Sequence, residues 1–297
     1  MSASDHHPAP PLIDGLAAIA DRYDGFILDL WGVMHDGVQA YPGARDCLAE
    51  LHRRGKRIVI LSNAPRRAAA VVARNAELGI PAELYHGLVT SGEAAWQALR
   101  GRIDAWHGRL GSRAYCLMPA RDRGLLTGLA LEEVAAVGEA EFILNTGVES
   151  ARDRLEDFEA VLAAGVAAGL PMLCANPDLV VIRGGVRELC AGSLAARYEA
   201  LGGFVRYHGK PHAAIYELCF AQLGIADRRR ILAVGDSLHT DVAGAAHAGI
   251  DVLFIAGGIH ADELGLAPGQ APSVERLARL CREGSEHPTW AARAFIW

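Results

Sequence analysis

Four continuous apolar runs stand out along the chain: Phe26-Ile27-Leu28, Ile58-Val59-Ile60-Leu61, Ile231-Leu232-Ala233-Val234 and Val252-Leu253-Phe254-Ile255. Runs of this length, without polar alternation, suit strands buried on both faces of a sheet. The segments between them carry helical spacing. Pro42 suits a helix start, and a helix to about Arg54 would turn Cys47, Leu48 and Leu51 inward. A second helix spans about Arg66 to Leu78, and a third follows Pro211 and runs to Leu223. Leu78-Gly79-Ile80, Leu223-Gly224-Ile225 and Ala248-Gly249-Ile250 repeat one ending: helix, glycine, isoleucine, strand. That punctuation predicts a doubly wound, Rossmann-like α/β domain with a parallel sheet. Leu12, Ile13, Leu16, Ile19 and Ala20 are spaced as in a helix reaching Tyr23.

From about His86 to Tyr207 the pattern is less regular. Arg113–Leu117, Glu141–Leu144 and Leu170–Cys174 read as strands. Ser150-Ala151-Arg152-Asp153 resembles a capping box opening a helix with Leu155, Phe158, Val161, Leu162 and Val166 inward. This segment is long enough for its own core and separates two regions that read as halves of one sheet. The expected organisation is an N-terminal tail and helix over 1–21, a discontinuous core of 22–85 plus 208–297, and an inserted α/β domain over 86–207. Ser273 to Cys281 has helical spacing, whereas the apolar tail Pro288 to Trp297 matches no element.

Composition narrows the function classes. Hydrophobic residues are 51% of the 297 and charged ones 22%, enough for real cores. A net charge of −6, with no interleaving of basic and aromatic residues, argues against nucleic acid. Six scattered cysteines without a C-x-x-C pair fit small hydrophobes in a reducing compartment. The polar, Pro-rich start from Met1 to Pro11 lacks the features of a signal peptide, and no apolar stretch is long enough to span a bilayer. The expectation is a cytoplasmic protein with no membrane partner.

Chemistry collects at the ends of the predicted strands. Asp29 follows Phe26–Leu28, Ser62-Asn63 follows the second run, Lys210 precedes the third helix, and Asp236 and Asp241 follow Ile231–Val234. Open α/β sheets bind ligands at such ends. Taken singly, each residue has a plain reading as a solvated turn residue. Together, two or three aspartates suit Mg²⁺, a hard ion that prefers oxygen. A lysine with Ser and Asn donors suits a phosphoryl group, and an aspartate can itself be the nucleophile. Gly209-Lys210 is not a nucleotide P-loop, because Pro211 stands where Ser or Thr is required.

The order Asp29…Gly32-Val33, Ser62-Asn63, Gly209-Lys210-Pro211, Gly235-Asp236-x-x-x-Thr240-Asp241 resembles the haloacid dehalogenase (HAD) superfamily. The insertion between the second and third motifs resembles that of its NagD-like class IIA branch. So do Met34-His35-Asp36 before Tyr41-Pro42-Gly43-Ala44, Asn176-Pro177-Asp178, and Gly192-Ser193. The resemblance covers roughly residues 22 to 260. It implies a Mg²⁺-dependent phosphohydrolase of small phosphorylated metabolites. Asp29 would be nucleophile and metal ligand, and Lys210 would neutralise charge on the phosphoryl group. Ser62 and Asn63 would hold the phosphoryl group, with Asn176 and Asp178 toward the substrate. The Trp31 backbone carbonyl, Asp236 and Asp241 would complete the metal site. The insertion would be a cap, and it allows homo-oligomerisation.

One position departs from the resemblance. Family phosphatases usually carry an acid–base aspartate two residues after the nucleophile, and here that position is Trp31. Tryptophan keeps a backbone carbonyl, but its indole N–H only donates and cannot shuttle a proton. General acid–base help is worth about 10² to 10⁴ in rate. Two functions therefore stay open: a phosphatase that is slow or restricted to activated esters, and a degenerate protein that holds a phosphorylated ligand in a regulatory role. His35 as a substitute acid, and His208 and His212 beside Lys210 as substrate contacts, are weaker alternatives to ordinary polar roles.

Overall fold

The computed structural model describes residues 9–267, 269–283 and 286–297. Positions 1–8 of the expected N-terminal tail lie outside the described residues. In chain order the strands are β1 (Leu12–Ile13), β2 (Gly25–Leu28), β3 (Arg57–Ser62), β4 (Gly87–Thr90), β5 (Arg113–Leu117), β6 (Glu132–Glu133), β7 (Phe142–Asn145), β8 (Pro171–Cys174), β9 (Val180–Arg183), β10 (Val186–Leu189), β11 (Phe204–Tyr207), β12 (Ile231–Gly235), β13 (Asp251–Ile255) and β14 (Trp290–Ala292). The chain forms two compact units. One comprises 1–61, 78–87 and 216–297, the other 62–77 and 88–215.

In the first unit the strands run β1-β14-β13-β12-β2-β3, every pair parallel. The apolar runs are its centre: β2 and β12 are buried along their whole length, as are Ile58 to Leu61 of β3. The helix Ala44–Arg53 buries Ala44, Cys47, Leu48 and Leu51, the i, i+3, i+4, i+7 face of an amphipathic helix. From β2 the chain moves outward to β3, and from β12 it moves the opposite way to β13 and β14. The β2/β12 boundary is therefore the topological switch point, where the loops after the two strands part and leave a crevice.

Two expectations are corrected here. Leu12 to Tyr23 is not a helix but the short strand β1 followed by the 3₁₀ turns Leu16–Ala18 and Ala20–Arg22. Leu16, Ile19 and Ala20 are buried as their spacing implied, because a three-residue repeat satisfies a 3₁₀ turn as well as a helix. The apolar tail also has a place. β14 inserts between β13 and β1, Phe295 is buried, and the Trp290 indole N–H donates to Tyr23 Oη at 3.0 Å.

The second unit holds a parallel sheet of order β11-β8-β7-β5-β6 and the antiparallel pair β9–β10. Alternate residues of β7 and β8 serve two cores. Ile143 and Met172 join Leu162, Leu194 and Tyr198 on one face, while Phe142, Leu144 and Leu173 join Ala95, Trp96 and Leu99 on the other. Helices cover both faces, as a parallel sheet requires. Ser150 does not open a helix. It closes a turn, with its N–H donating to Asp153 Oδ2 at 2.8 Å, and the 3₁₀ turn Leu155–Phe158 leads into the helix Glu159–Ala167. Among the described residues no helix is long and apolar enough to cross a membrane.

Candidate active site

Register alone brings two aspartates together. Leu28 pairs with Val234 across β2 and β12, so Asp29 and Asp236 leave neighbouring parallel strands at the same level, at the switch point. The Asp29 N–H donates to the Val234 carbonyl at 2.9 Å, fixing the start of its loop. The third carboxylate arrives by a helical turn. Ser237 caps the π-helical turn Leu238–Val242, its hydroxyl accepting from the Thr240 N–H at 3.3 Å. That turn carries Asp241 back toward the strand end, where its Oδ2 accepts the Ser237 N–H at 3.1 Å. Asp29, Asp236 and Asp241 are all buried, with one carboxylate oxygen of each within 4.8 Å of the others.

Glycines make the room. A Cβ on Gly32 or Gly258 would overlap Asp236 Oδ2, and one on Gly235 would overlap the Asp241 carboxyl. The Ile259 N–H then donates to Asp236 Oδ2 at 2.7 Å. Three buried carboxylates, with neither sulfur nor imidazole among them, in a pocket cleared by missing side chains fit a hard divalent cation. The surrounding charge is felt nearby. Burial, then the carboxylates of Asp36 and Asp236, push the Tyr41 hydroxyl up to about 12.

Trp31 belongs to the loop after Asp29. The Met34 and His35 N–H groups donate back to the Leu30 carbonyl at 2.8 and 3.1 Å, curling the loop on itself. The indole stands edge-on to His35, ring centroids 5.1 Å apart, and lies against Gly37, whose φ of +81° and contact with the ring both exclude a Cβ. His35 Nδ1 accepts the Gly37 N–H at 3.1 Å, so in neutral His35 the proton sits on Nε2.

A second polar cluster lies in the second unit, centred on Asn63 and Lys210. The Asn63 side chain pairs with the Lys210 backbone as a strand neighbour would. Its Oδ1 accepts the Lys210 N–H at 2.8 Å and its Nδ2 donates to the Lys210 carbonyl at 3.2 Å. Nδ2 also donates to Asp178 Oδ1 at 2.8 Å, and the Asp178 N–H in turn donates to Asn176 Oδ1 at 3.0 Å, closing an Asx turn. Gly209, at φ +126°, has Asn63, Pro177 and Ser91 so close that no Cβ fits. The Lys210–Pro211 bond is cis, and Lys210 is buried. Ser62 Oγ accepts the Ala64 N–H at 3.2 Å, and the stretch after it is held by Thr90 and Ser91. Their hydroxyls donate to the carbonyls of Arg66 at 2.6 Å and Ala64 at 3.1 Å.

The family model for haloacid dehalogenase-like hydrolases matches residues 26–132, and a HAD-hydrolase-like model matches residues 207–280. A solved hydrolase of the haloacid dehalogenase-like family from Brucella suis 1330 is 32% identical, with a TM-score of 0.81 over 96% of this chain and 100% of that one. The chain belongs to the haloacid dehalogenase-like hydrolases. Among curated HAD relatives, the D-glycerol 3-phosphate phosphatase of Mycobacterium tuberculosis is 29% identical over 250 residues, 82% of this chain and 66% of that protein. Ribonucleotide monophosphatase NagD of Escherichia coli K12 is 26% identical over 244 residues, 78% of this chain and 87% of that protein.

Within this HAD chain the nominated residues fall into two groups. Asp29, Asp236 and Asp241 come together in the first unit, in the loop-and-turn setting that also holds Trp31. Ser62, Asn63, Asn176, Asp178 and Lys210 belong to the second. There Asp178 bonds both Asn63 and Asn176, the arrangement of a brace. Sequence reasoning passed over Thr90. Its hydroxyl accepts the Glu93 N–H at 2.9 Å and so caps the helix Ser91–Gly101. Thr90-x-x-Glu93 is a capping-box pattern that could have revealed it. Gly258 and Ile259 carried no local signal, since their role depends on where the loop after β13 returns.

Proposed function

We propose that this chain is a Mg²⁺-dependent phosphohydrolase of small phosphorylated metabolites, working through an aspartyl-phosphate on Asp29. The observation that carries the reading is the three-carboxylate cluster, buried in a glycine-cleared crevice at the switch point of a HAD-type sheet. Its relatives named as phosphatases of glycerol 3-phosphate and ribonucleotides support the substrate class. A carboxylate oxygen of Asp29 attacks phosphorus while the bond to the leaving alkoxide breaks. Water then attacks the phosphoryl group, the bond to Asp29 breaks, and inorganic phosphate departs. Asp29, the Trp31 carbonyl, Asp236 and Asp241 would hold Mg²⁺, which would lower the repulsion between nucleophile and phosphate. Ser62 and Asn63 hold phosphoryl oxygens and Lys210 neutralises their charge, with Asn176 and Asp178 bracing Asn63. The 86–207 segment acts as the cap of a 22–85 plus 208–297 core.

Because Trp31 cannot move a proton, the leaving group must take its proton from solvent, and the water that attacks in the second step must give its proton up to solvent. Activated esters should therefore be the better substrates. Phosphate release from a metabolite library should stop on adding EDTA. Asp29→Asn should lower turnover by about 10⁴-fold or more. Wild-type turnover in Asp29→Asn would remove Asp29 as nucleophile. Trp31 also favours a second reading, a regulatory protein that binds a phosphorylated ligand without turning it over. That reading requires tight binding of beryllofluoride with Mg²⁺ and no turnover above background. Multiple turnovers on any ester exclude it.

A further inference from the structure

Lys210 sits in a segment flanked by histidines, and one of them continues into a buried polar chain. His208 leaves the end of β11, its N–H donating to the Cys174 carbonyl at 2.9 Å. Its Nε2 lies 3.1 Å from Nε2 of His107, which is 98% buried. The other nitrogen of His107, Nδ1, is 2.8 Å from Asp104 Oδ1, and the same oxygen accepts the His107 backbone N–H at 2.9 Å. That N–H and the imidazole hold the Asp104 carboxyl down at about 2, so it is an acceptor at any ordinary pH. Nδ1 of His107 therefore carries a proton, and the two facing Nε2 atoms must share a single proton between them. Two residues after His208, the Lys210 backbone is clasped by Asn63. His212, beyond it, stacks on Tyr207 at 5.5 Å between centroids.

We propose that Asp104, His107 and His208 are positioning residues that hold the Lys210 segment in place for phosphoryl transfer and release it when the imidazole pair takes up a second proton. The inference rests on the role proposed for Lys210. Two N–H donors cannot share the 3.1 Å gap, so a second proton breaks the contact. The groups that face His208 are His107 on the helix Ala105–Arg109, Asp104 at that helix's N-cap, Arg206 and His212 from its own segment, and Cys174 on β8. Burial dominates, and the electrostatic effect of His107, Arg206 and His212 acts in the same direction. They outweigh Asp104 and push His208 down to about 4. The segment is therefore held above that pH and freed below it.

Hydrogen exchange at the Lys210 amide tests this without any substrate, because that N–H is the one donated to Asn63. In the wild type its protection factor should fall as pH drops through about 4. In His107→Phe it should be about tenfold lower at neutral pH, the equivalent of one hydrogen bond, and lose that pH step. The amides of β7 and β8 should keep wild-type protection. Asp104→Asn, which retains a capping side chain, should shift Lys210 in the same direction by about threefold. Equal loss at β7 and β8, or unchanged Lys210 protection in a variant that melts like the wild type, overturns the proposal. Where an ester is turned over, kcat of His107→Phe should fall about tenfold with KM held. A wild type with no turnover but with these exchange shifts would overturn the phosphatase reading and leave the positioning chain standing.

Discussion

The carboxylate cluster and the Asn63–Lys210 cluster are built on different principles. The first is fixed by strand ends. Asp29 and Asp236 follow paired strands of a buried parallel sheet, and Asp241 is one helical turn from Asp236. Its freedom comes from glycines, which remove atoms rather than add contacts. The second is held by hydrogen bonds between side chains and distant backbone, linking Asn63 to positions 115 and 147 residues away. One region takes its geometry from the sheet, the other from a network in which every member must be present. Damage to the first should appear as lost metal binding or altered chemistry, and damage to the second as lost order.

Trp31→Asp should give the largest change. If the missing acid limits turnover, the aspartate raises kcat on alkyl phosphates by up to about 10² to 10⁴, and much less on p-nitrophenyl phosphate. The indole also packs on Gly37 and His35, so the same substitution empties that contact and weakens the loop. A uniform loss across leaving groups would mean that packing, not the proton, is what Trp31 supplies. In the second cluster, Asn63→Ala strands the Lys210 N–H and carbonyl, at about 1–3 kcal/mol for each buried group. Turnover should drop about 10²-fold, with Mg²⁺ affinity, read by calorimetry, unchanged. Gly258→Ala should do the converse, pressing on Asp236 and weakening Mg²⁺ binding by about 10- to 100-fold. If both variants lowered metal affinity equally, the distinction between the two regions would fail.

The remaining effect is on acid stability, and it belongs to the second unit. His208 titrates near 4 when folded and near its ordinary 6.5 when unfolded. Between those values the unfolded chain binds more protons, so stability is full above about 6.5 and is lost as pH falls toward 4. The loss is at most about 3 kcal/mol. His208→Gln should flatten the dependence of melting temperature on pH across that window. An unchanged slope would mean that His208 is not the group responsible.

The strands and helices that frame both clusters were legible because buried parallel strands are continuous apolar runs and their helices end in glycine. The places that misled were short. β14 is three residues, Trp-Ala-Ala, and its pairing on both sides with β13 and β1 left no pattern to read. Leu16, Ile19 and Ala20 fit a helix and two 3₁₀ turns equally well. Asp153 accepts the Ser150 N–H as the acidic half of a capping box would, but Ser150 Oγ accepts from the Arg152 N–H and no helix starts there. The histidine pair was invisible, since positions 107 and 208 are 101 residues apart and neither has local periodicity.

By itself, then, the order of residues determined the strand ends, and with them the positions of Asp29, Ser62, Asn63, Asp236 and Asp241. Local hydrophobic period and helix punctuation suffice for that. Only the tertiary structure decided which of these meet. β12 lies beside β2 although some two hundred residues separate them. Gly258 comes back to Asp236, Asn63 clasps Lys210, and His107 reaches His208. The physical reason is that strand register and side chain-to-backbone hydrogen bonds act through space at about 3 Å. A pattern read along the chain has no measure of that distance.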